Sequence, residues 1–469
     1  MQLSPHNRPS NPLDLPEIRS HIARFLNCKD CLSCMRVSRD WSHDFAPYVW
    51  HTIDFAKDAT AFGKVTTETL DKYGGLIAQI LNIASAENLQ ALQHSKVDSI
   101  KSMDVRLPNN WLYRELLSDL ILRCSGSVKD LIIQSASPNP NTFEEQRKWS
   151  THFLHVNDIF TVYPPILPGQ GPISNYECCL RALALWYVCI TREGLSSLLR
   201  CCPSLDELTL VRVMLICHKP SLTLYTGSRL RYLSASLQQV YCNDTEDPKA
   251  PCLLLHFPLL KEWKISWMIR PTQWPTDTIP DAFSEWCPHF KTVTFATEST
   301  EIMKDLLLNS FNDLESCTLS SKNLEISTAL GLLSHLDSMT SLTITDDKQD
   351  KEVTQMVFLI VKLCRNLQVL SIESIVCDVE IVEKARWACQ DLRELRVRFK
   401  GLDSPRDIEG CIRQVCGQRR SGRDETYVSR SLDQGSILGR IAQFLLQFKQ
   451  LKTVWLGTKN IYLPPSRTA

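Results

Sequence analysis

One short pattern, apolar-x-x-apolar-x-apolar, returns at near-constant intervals and limits the possible folds of this chain more than any other feature. It occurs as Leu180/Leu183/Leu185, Leu205/Leu208/Leu210, Leu260/Trp263/Ile265 and Phe290/Val293/Phe295. It continues as Leu314/Cys317/Leu319, Met339/Leu342/Ile344, Leu367/Leu370/Ile372 and Leu392/Leu395/Val397, with a partial copy at Leu230/Leu233/Ala235. The copies begin 25, 25, 30, 30, 24, 25, 28 and 25 residues apart, a mean of 26.5. A period of about 20–29 residues belongs to arrays in which each unit is one strand and one returning helix. No single unit can bury both its strand and its helix face, so neighbours must stack and stability accumulates along the array.

The array extends upstream through Ile100/Met103/Val105 and Val128/Leu131/Ile133, and downstream through Leu451/Val454/Leu456. Gaps of 52 and 59 residues interrupt it, each about two repeat lengths. Ser, Pro, Asn, Gly and charge cluster within them, which predicts loop excursions near 134–176 and 401–433, with another near 238–252. Ile437, Ile441, Phe444, Leu445 and Phe448 then restore a helical face. The predicted fold class is α/β: a small N-terminal helical module (11–55), then a solenoid over 56–462 with parallel strands on its concave face and helices on its convex face. Residues 1–10 and 463–469 are expected to be tails.

With 52 basic and 52 acidic residues the formal net charge is zero, which argues against nucleic acid or an anionic membrane as a partner held by bulk charge. No apolar run approaches a membrane span, and the N-terminal segment lacks the apolar core of a signal peptide. The expectation is a cytoplasmic or nuclear protein with reduced thiols. Its 19 cysteines therefore need another account. Four of them, Cys202, Cys287, Cys364 and Cys389, each precede the first apolar position of a strand by three residues, which predicts packing positions.

The N-terminal segment breaks the period. Ile18, Ile22, Phe25 and Leu26 form one apolar stripe, and Leu32, Val37 and Trp41 parts of others, predicting two or three short helices. A module this small has little interior and is expected to bury apolar surface against a partner or the neighbouring array. Its order of residues is Leu15-Pro16-Glu17-Ile18, Phe25-Leu26, Asp30-Cys31-Leu32, Val37-Ser38-Arg39-x-Trp41 and Trp50-x-x-Ile53. This order resembles an F-box over about 40 residues, and the remainder resembles the leucine-rich repeats that commonly follow one, particularly in divergent fungal proteins. Two departures stand out. One residue is missing before Glu17, and Val188, Val213, Met268 and Asp347 replace the Asn or Cys expected nine positions into the repeat.

The resemblance implies the substrate receptor of an SCF-type (Skp–cullin–F-box) ubiquitin ligase, without catalytic residues of its own, that raises the local concentration of target lysines near the charged conjugating enzyme. Carried over by position, Leu15, Pro16, Ile18, Ile22, Leu32, Val37 and Trp41 would face the Skp-family adaptor or support that face. Some of the box's apolar residues, Phe25 and Trp41 above all, could instead fill its core. The alternative function is a repeat scaffold whose degenerate box no longer joins a ligase.

An unknown target protein would meet the strand positions between the apolar ones. Thr292, Thr294, Ser316, Thr318, Ser320, Ser341, Thr343 and Thr345 form a neutral hydroxyl strip, and Arg393, Arg396, Arg398 and Lys400 a basic edge. That edge suits an acidic or phosphorylated segment. The competing reading is a solvated strand face partly neutralised by Glu373 and Glu394. Trp186 and Trp455 fall at outward positions, as aromatic anchors or as loop-covered packing. Cys28, Cys31 and Cys34 have C-x-x-C-x-x-C spacing but no fourth ligand at a diagnostic distance, His21 and His43 being the nearest extra candidates, and no metal or cofactor is expected. No phosphate-binding loop, nucleophile elbow or zinc-protease motif is present, so an enzyme is not expected. Asn243-Asp244-Thr245 fits a glycosylation sequon.

Overall fold

The computed structural model describes residues 12–56, 65–95, 97–107, 111–135, 154–156, 178–217, 223–241, 253–266, 285–296, 300–309, 311–320, 324, 326–345, 351–402, 404–421, 436–456 and 459–464. The chain is mixed α/β, with thirteen α-helices among the described residues and a large, mostly parallel sheet. It divides into two compact units. The first holds residues 1–218, 225–227 and 239–244, the second 219–224, 228–238 and 245–469.

The first unit opens with α1 (Pro16–Ala23), α2 (Cys28–Cys34) and α3 (Arg39–Trp50). It continues through β1 (Thr52–Asp54), α4 (Thr67–Tyr73), β2 (Gln79–Ile83), α5 (Ala86–Gln93), β3 (Ser102–Leu107), α6 (Trp111–Arg123) and β4 (Asp130–Ser135). Then come β5 (Leu154–His155), β6 (Ala182–Trp186), β7 (Val188–Thr191), α7 (Arg192–Cys201) and β8 (Glu207–Cys217). Strands β1, β2, β3, β4, β6 and β8 pair in that order, all parallel.

Strands β9 (Thr223–Thr226) and β10 (Tyr232–Tyr241) cross the boundary between the units. Beyond them lie β11 (Leu253–His256), β12 (Glu262–Ser266), β13 (Thr292–Ala296), α8 (Thr300–Asn309), β14 (Ser316–Ser320), α9 (Ile326–Leu333) and β15 (Ser341–Thr345). The second unit ends with α10 (Lys351–Leu363), β16 (Val369–Cys377), α11 (Val379–Lys384), β17 (Glu394–Phe399), α12 (Pro405–Ser421), α13 (Ile437–Leu446), β18 (Thr453–Leu456) and β19 (Lys459–Tyr462). Strands β12 to β18 form a parallel ladder, and β19 reverses to pair antiparallel with β18.

The repeated apolar pattern accounts for this order. In every full copy all three apolar residues are buried, from Leu180/Leu183/Leu185 through Leu392/Leu395/Val397. The residue three before the first is buried too wherever it is Cys202, Cys287, Cys364 or Cys389. The same slot holds Val97, Phe257, Phe311 and Phe448, so the cysteines are the small members of an apolar set. Their thiols also reach back: Cys364 Sγ lies 3.5 Å from the Met339 carbonyl of the preceding unit. Main-chain bonds link the strand entrances in the same direction. The amides of Lys291, Glu315, Thr340, Gln368, Arg393 and Lys452 each donate, at 2.7–3.0 Å, to the corresponding carbonyl one unit earlier.

Helix starts are capped by the residue that leaves the strand or turn. Ser85, Thr191 and Ser436 accept from the amides of Asn88, Gly194 and Gly439. Helices α8 and α9 approach closely at Gly331, where an added Cβ would sit 2.7 Å from Leu307 Cβ and 3.3 Å from the Lys304 carbonyl oxygen. Val188 and Val213, where Asn or Cys was expected, are fully buried, so apolar packing replaces a polar ladder there. Met268 and Asp347 lie outside the described residues.

Several expectations need correction. The stretch 401–433 is not a simple loop excursion, because 405–421 forms the 17-residue α12. Ser404 caps it by accepting from the Asp407 amide at 3.1 Å, and Ile408, Cys411 and Val415 bury one face. Buried Arg419 donates to the carbonyls of Leu451, Phe448 and Pro464. The two long gaps hold no further rung of the ladder: β4 pairs directly with β6, and β17 with β18. The short β5 pairs with β7 instead. Residues 238–241 of the expected excursion near 238–252 belong to β10, and 242–252 lie outside the described residues. Residues 463 and 464, assigned to the predicted C-terminal tail, are held in place, because Leu463 is buried and donates to the Lys452 carbonyl at 2.7 Å; 465–469 lie outside the described residues. Most of 134–176, the tail 1–10 and the Asn243 sequon lie outside the described residues.

His335, at the end of α9, is buried, and its Nε2 lies 2.8 Å from the Leu307 carbonyl of α8. Burial pulls its pKa below the ordinary value near 6.5, opposed by the Leu307 bond and by Asp313. The unfolded chain therefore takes up a proton there that the folded chain resists. Stability contributed by the neutral ring is present above pH ~6.5 and is lost as pH falls from there toward the folded value. The melting temperature of His335→Leu is expected to depend less on pH between about 6.5 and 5 than that of wild type. Parallel curves would refute this.

Candidate docking surfaces

The N-terminal module is built by its caps and by one buried ion pair. Asn27 caps α2 through the Asp30 amide at 3.0 Å, and Ser38 caps α3 through the Trp41 amide at 3.2 Å. The serine of the Val-Ser-Arg-x-Trp sequence is thus a helix start. Ala23, Cys31, Phe45 and Val49 make a small core, against which Ile22, Leu26, Leu32 and Trp41 pack. Trp41 stacks on Phe45 at 5.3 Å between centroids. Arg19, 5% exposed, bonds Asp44 through Nε at 2.5 Å and the Leu13 carbonyl through Nη1 at 2.9 Å, tying α1 to α3.

The remaining apolar residues face outward. Leu15 is 45% exposed, Ile18 39%, Val37 63% and Phe25 78%. Pro16 is exposed as well, while Ile22, Leu32 and Trp41 are half-buried. The seven expected adaptor residues thus separate into an outer set (Leu15, Pro16, Ile18, Val37) and a supporting set (Ile22, Leu32, Trp41). Phe25 does not fill the core, and it joins the outer set together with Leu13, 39% exposed. Its place in the stripe with Ile18 and Ile22 was visible in the sequence. Its exposure was not.

In the second unit, the strand positions between the buried apolar ones align in rows. Thr292, Ser316 and Ser341 are register partners, as are Thr294, Thr318 and Thr343. The second row continues through Ser371, Arg396 and Trp455. Ser371, which sequence reasoning passed over, holds the same register position between Leu370 and Ile372 but is itself buried. The guanidinium of Arg396 lies 4.5 Å from the centre of the Trp455 ring, and its Nε is 2.6 Å from Glu394 Oε1. Glu394 therefore neutralises this part of the basic edge, as the competing reading held, and Trp455 is covered on one side by a cation. Glu373's side chain lies outside the described residues. Arg398 is exposed further along β17, Lys400 follows the strand end, and Arg393 precedes it with its carbonyl engaged by Lys452 and Thr453. In the first unit, Trp186 is half-buried on β6 beside Gln134 of β4 and Val211 of β8.

Among the described residues no group of three or more His, Cys, Asp or Glu is arranged to hold a metal ion. Cys31 is buried and points to the Ala23 carbonyl at 3.8 Å, whereas Cys28 is exposed. Burial, with the neighbouring Cys34 and Cys28, raises the Cys31 pKa, which opposes the thiolate a metal would need. No described helix is long and apolar enough to cross a membrane.

No family model matches the chain, and no curated protein matches it either. A chain in the crystal structure of the Rad7 and Elc1 complex in yeast superposes on 84% of this chain and 92% of its own length, at 11% identity and a TM-score of 0.32. A score of that size does not define a shared fold.

Proposed function

We propose that the chain is the substrate-recognition subunit of an SCF-type ubiquitin ligase, in which the N-terminal module docks on a Skp-family adaptor and the strand faces hold the target. The observation that carries this reading is the outward apolar set on a module whose buried core cluster has four residues. Such a surface is costly in water and is best explained by a protein that covers it. The order of residues that resembles an F-box names that protein's class.

The remainder is read as a leucine-rich-repeat solenoid, supported by the parallel ladder and by the linked strand entrances. Such a subunit works by proximity and needs no catalytic group, metal or cofactor of its own. Its site of action is the cytoplasm or nucleus, where the cullin ligase meets its targets. In the second unit the target would cross the row Thr318–Thr343, with Arg398 and Lys400 at its basic end.

The decisive experiment is co-purification of the intact chain with the adaptor. Leu15→Ala with Pro16→Ala is expected to reduce recovery at least about tenfold, as truncation of central contacts does. No recovery with the wild-type chain sinks the proposal and leaves a repeat scaffold outside the ligase. Arg398→Glu with Lys400→Glu is expected to spare the adaptor and weaken capture of an acidic target. Unchanged target binding removes the basic end from the recognition surface.

A further inference from the structure

Two adjacent cysteine pairs, Cys178-Cys179 and Cys201-Cys202, meet in the first unit. Cys178 precedes β6 and is 4% exposed, while Cys202 follows α7 and is 2% exposed. Their sulfurs lie 3.7 Å apart. Their sequence neighbours Cys179 and Cys201 are only half-buried. Cys201 lies near enough to Cys178 for their charges to interact. The arrangement is two dry thiols in contact, with a third, half-buried thiol near them. Cys287, Cys364 and Cys389 share the repeat position of Cys202 and are buried like it. Packing explains their burial. It does not explain the paired thiol beside Cys202.

We propose that Cys178 and Cys202 are a site of reversible oxidative modification, joined as a disulfide by exchange with a small-molecule disulfide that enters through Cys201. The Cys201 thiolate attacks one sulfur of the oxidant RSSR, forming a mixed disulfide and releasing one RS⁻. The Cys178 thiolate then attacks Cys201 Sγ, expelling the second RS⁻. Cys202 finally attacks Cys178 Sγ and frees Cys201, leaving the Cys178–Cys202 bond. Two protein thiols lose two electrons and two protons overall, and RSSR becomes two RSH. The sulfurs need to close by about 1.7 Å to reach bonding distance.

Order along this path follows from burial. The Cys202 thiol is pushed well above its ordinary range, first by its bond to Cys178 and then by desolvation, so it is a poor first nucleophile. The less buried Cys201 meets the oxidant first. The product closes a 24-residue separation and ties the entrance of β6 to the exit of α7.

The test uses the full reduced chain incubated with oxidised glutathione, denatured in iodoacetamide and mapped by mass spectrometry. The expected product is a Cys178–Cys202 cross-linked peptide, lighter by two hydrogens than its reduced parts and cleaved by dithiothreitol. Cys201→Ser is expected to slow its appearance about tenfold or more without changing the final yield. Alkylation of both Cys178 and Cys202 overturns the proposal, as does glutathione retained on Cys201 without a cross-link. An unchanged rate in Cys201→Ser removes Cys201 as the entry thiol.

Discussion

Asp44→Ala is expected to unfold α1–α3 while leaving the strands that follow in place. The guanidinium of Arg19 is nearly closed to solvent, and its bonded acceptors are the Asp44 carboxylate and the Leu13 carbonyl. Removing the carboxylate leaves a buried cation without its counter-charge, which costs about 3–5 kcal/mol. A module with four buried core residues has little more than that to lose, because small cores supply only about 3–5 kcal/mol. Asp44→Asn keeps an acceptor but not the charge, so an intermediate loss is expected. Limited proteolysis of the full chain reads the effect as accelerated cleavage within residues 12–50. Cleavage at the wild-type rate would show that the ion pair does not hold the module. On the proposed function, adaptor capture should fall in the same order as protection, although none of the proposed adaptor residues has been changed.

The second large effect is a reversal of sign between two glycines. In an exposed helix interior, Gly→Ala stabilises by about 1 kcal/mol through helix propensity. Gly417 on α12 has nothing within 4 Å of its would-be Cβ and should behave this way. Gly331 on α9 should do the opposite. Its Cβ would meet Leu307 Cβ at 2.7 Å, and Leu307 is fully buried, so α8 and α9 would have to separate. Over-packing of this kind costs about 1–3 kcal/mol, enough to exceed the propensity gain. Gly331→Val adds further volume at the same contact and should cost more. Thermal melts of the single variants would settle the matter, with Gly417→Ala above wild type and Gly331→Ala below it. A rise for both would mean that the two helices are less tightly apposed than described.

The strands were legible because each presents three buried apolar residues at fixed spacing and returns before the phase drifts. The slot three residues before the first apolar position of each repeat was legible through its cysteines, although its membership of Val97, Phe257, Phe311 and Phe448 became plain only in three dimensions. Helix α12 was missed because the charged residues after Ser404 read as a loop, whereas its buried face is only Ile408, Cys411, Val415 and Arg419. Strand β2 was missed for a different reason. Its register shifts between Ile80 and Ile83, and Asn82 has φ 57°, so the alternation is broken within the strand. In the N-terminal module the helices and their caps could be read, but the choice between core and surface could not. Phe25 and Phe45 have the same side chain, and only packing of α1 on α3 leaves one outside and the other buried. The meeting of Arg396 with Trp455 was equally hidden, since it depends on β17 pairing directly with β18 across a long intervening segment.

That final pair of strands also bears on how the array ends. Stacked parallel repeats have an inherent liability, because the ladder can be continued by any strand of matching direction and hydrogen-bond spacing, including one from another copy. Strand β19 turns back on β18, with Thr453 opposite Tyr462 and Leu456 opposite Lys459. Antiparallel pairing alternates narrow and wide hydrogen-bonded rings, whereas the parallel ladder is evenly spaced. The hairpin therefore ends the run of parallel pairs at β18, so that a further strand would have to add to β19 and not to the parallel ladder.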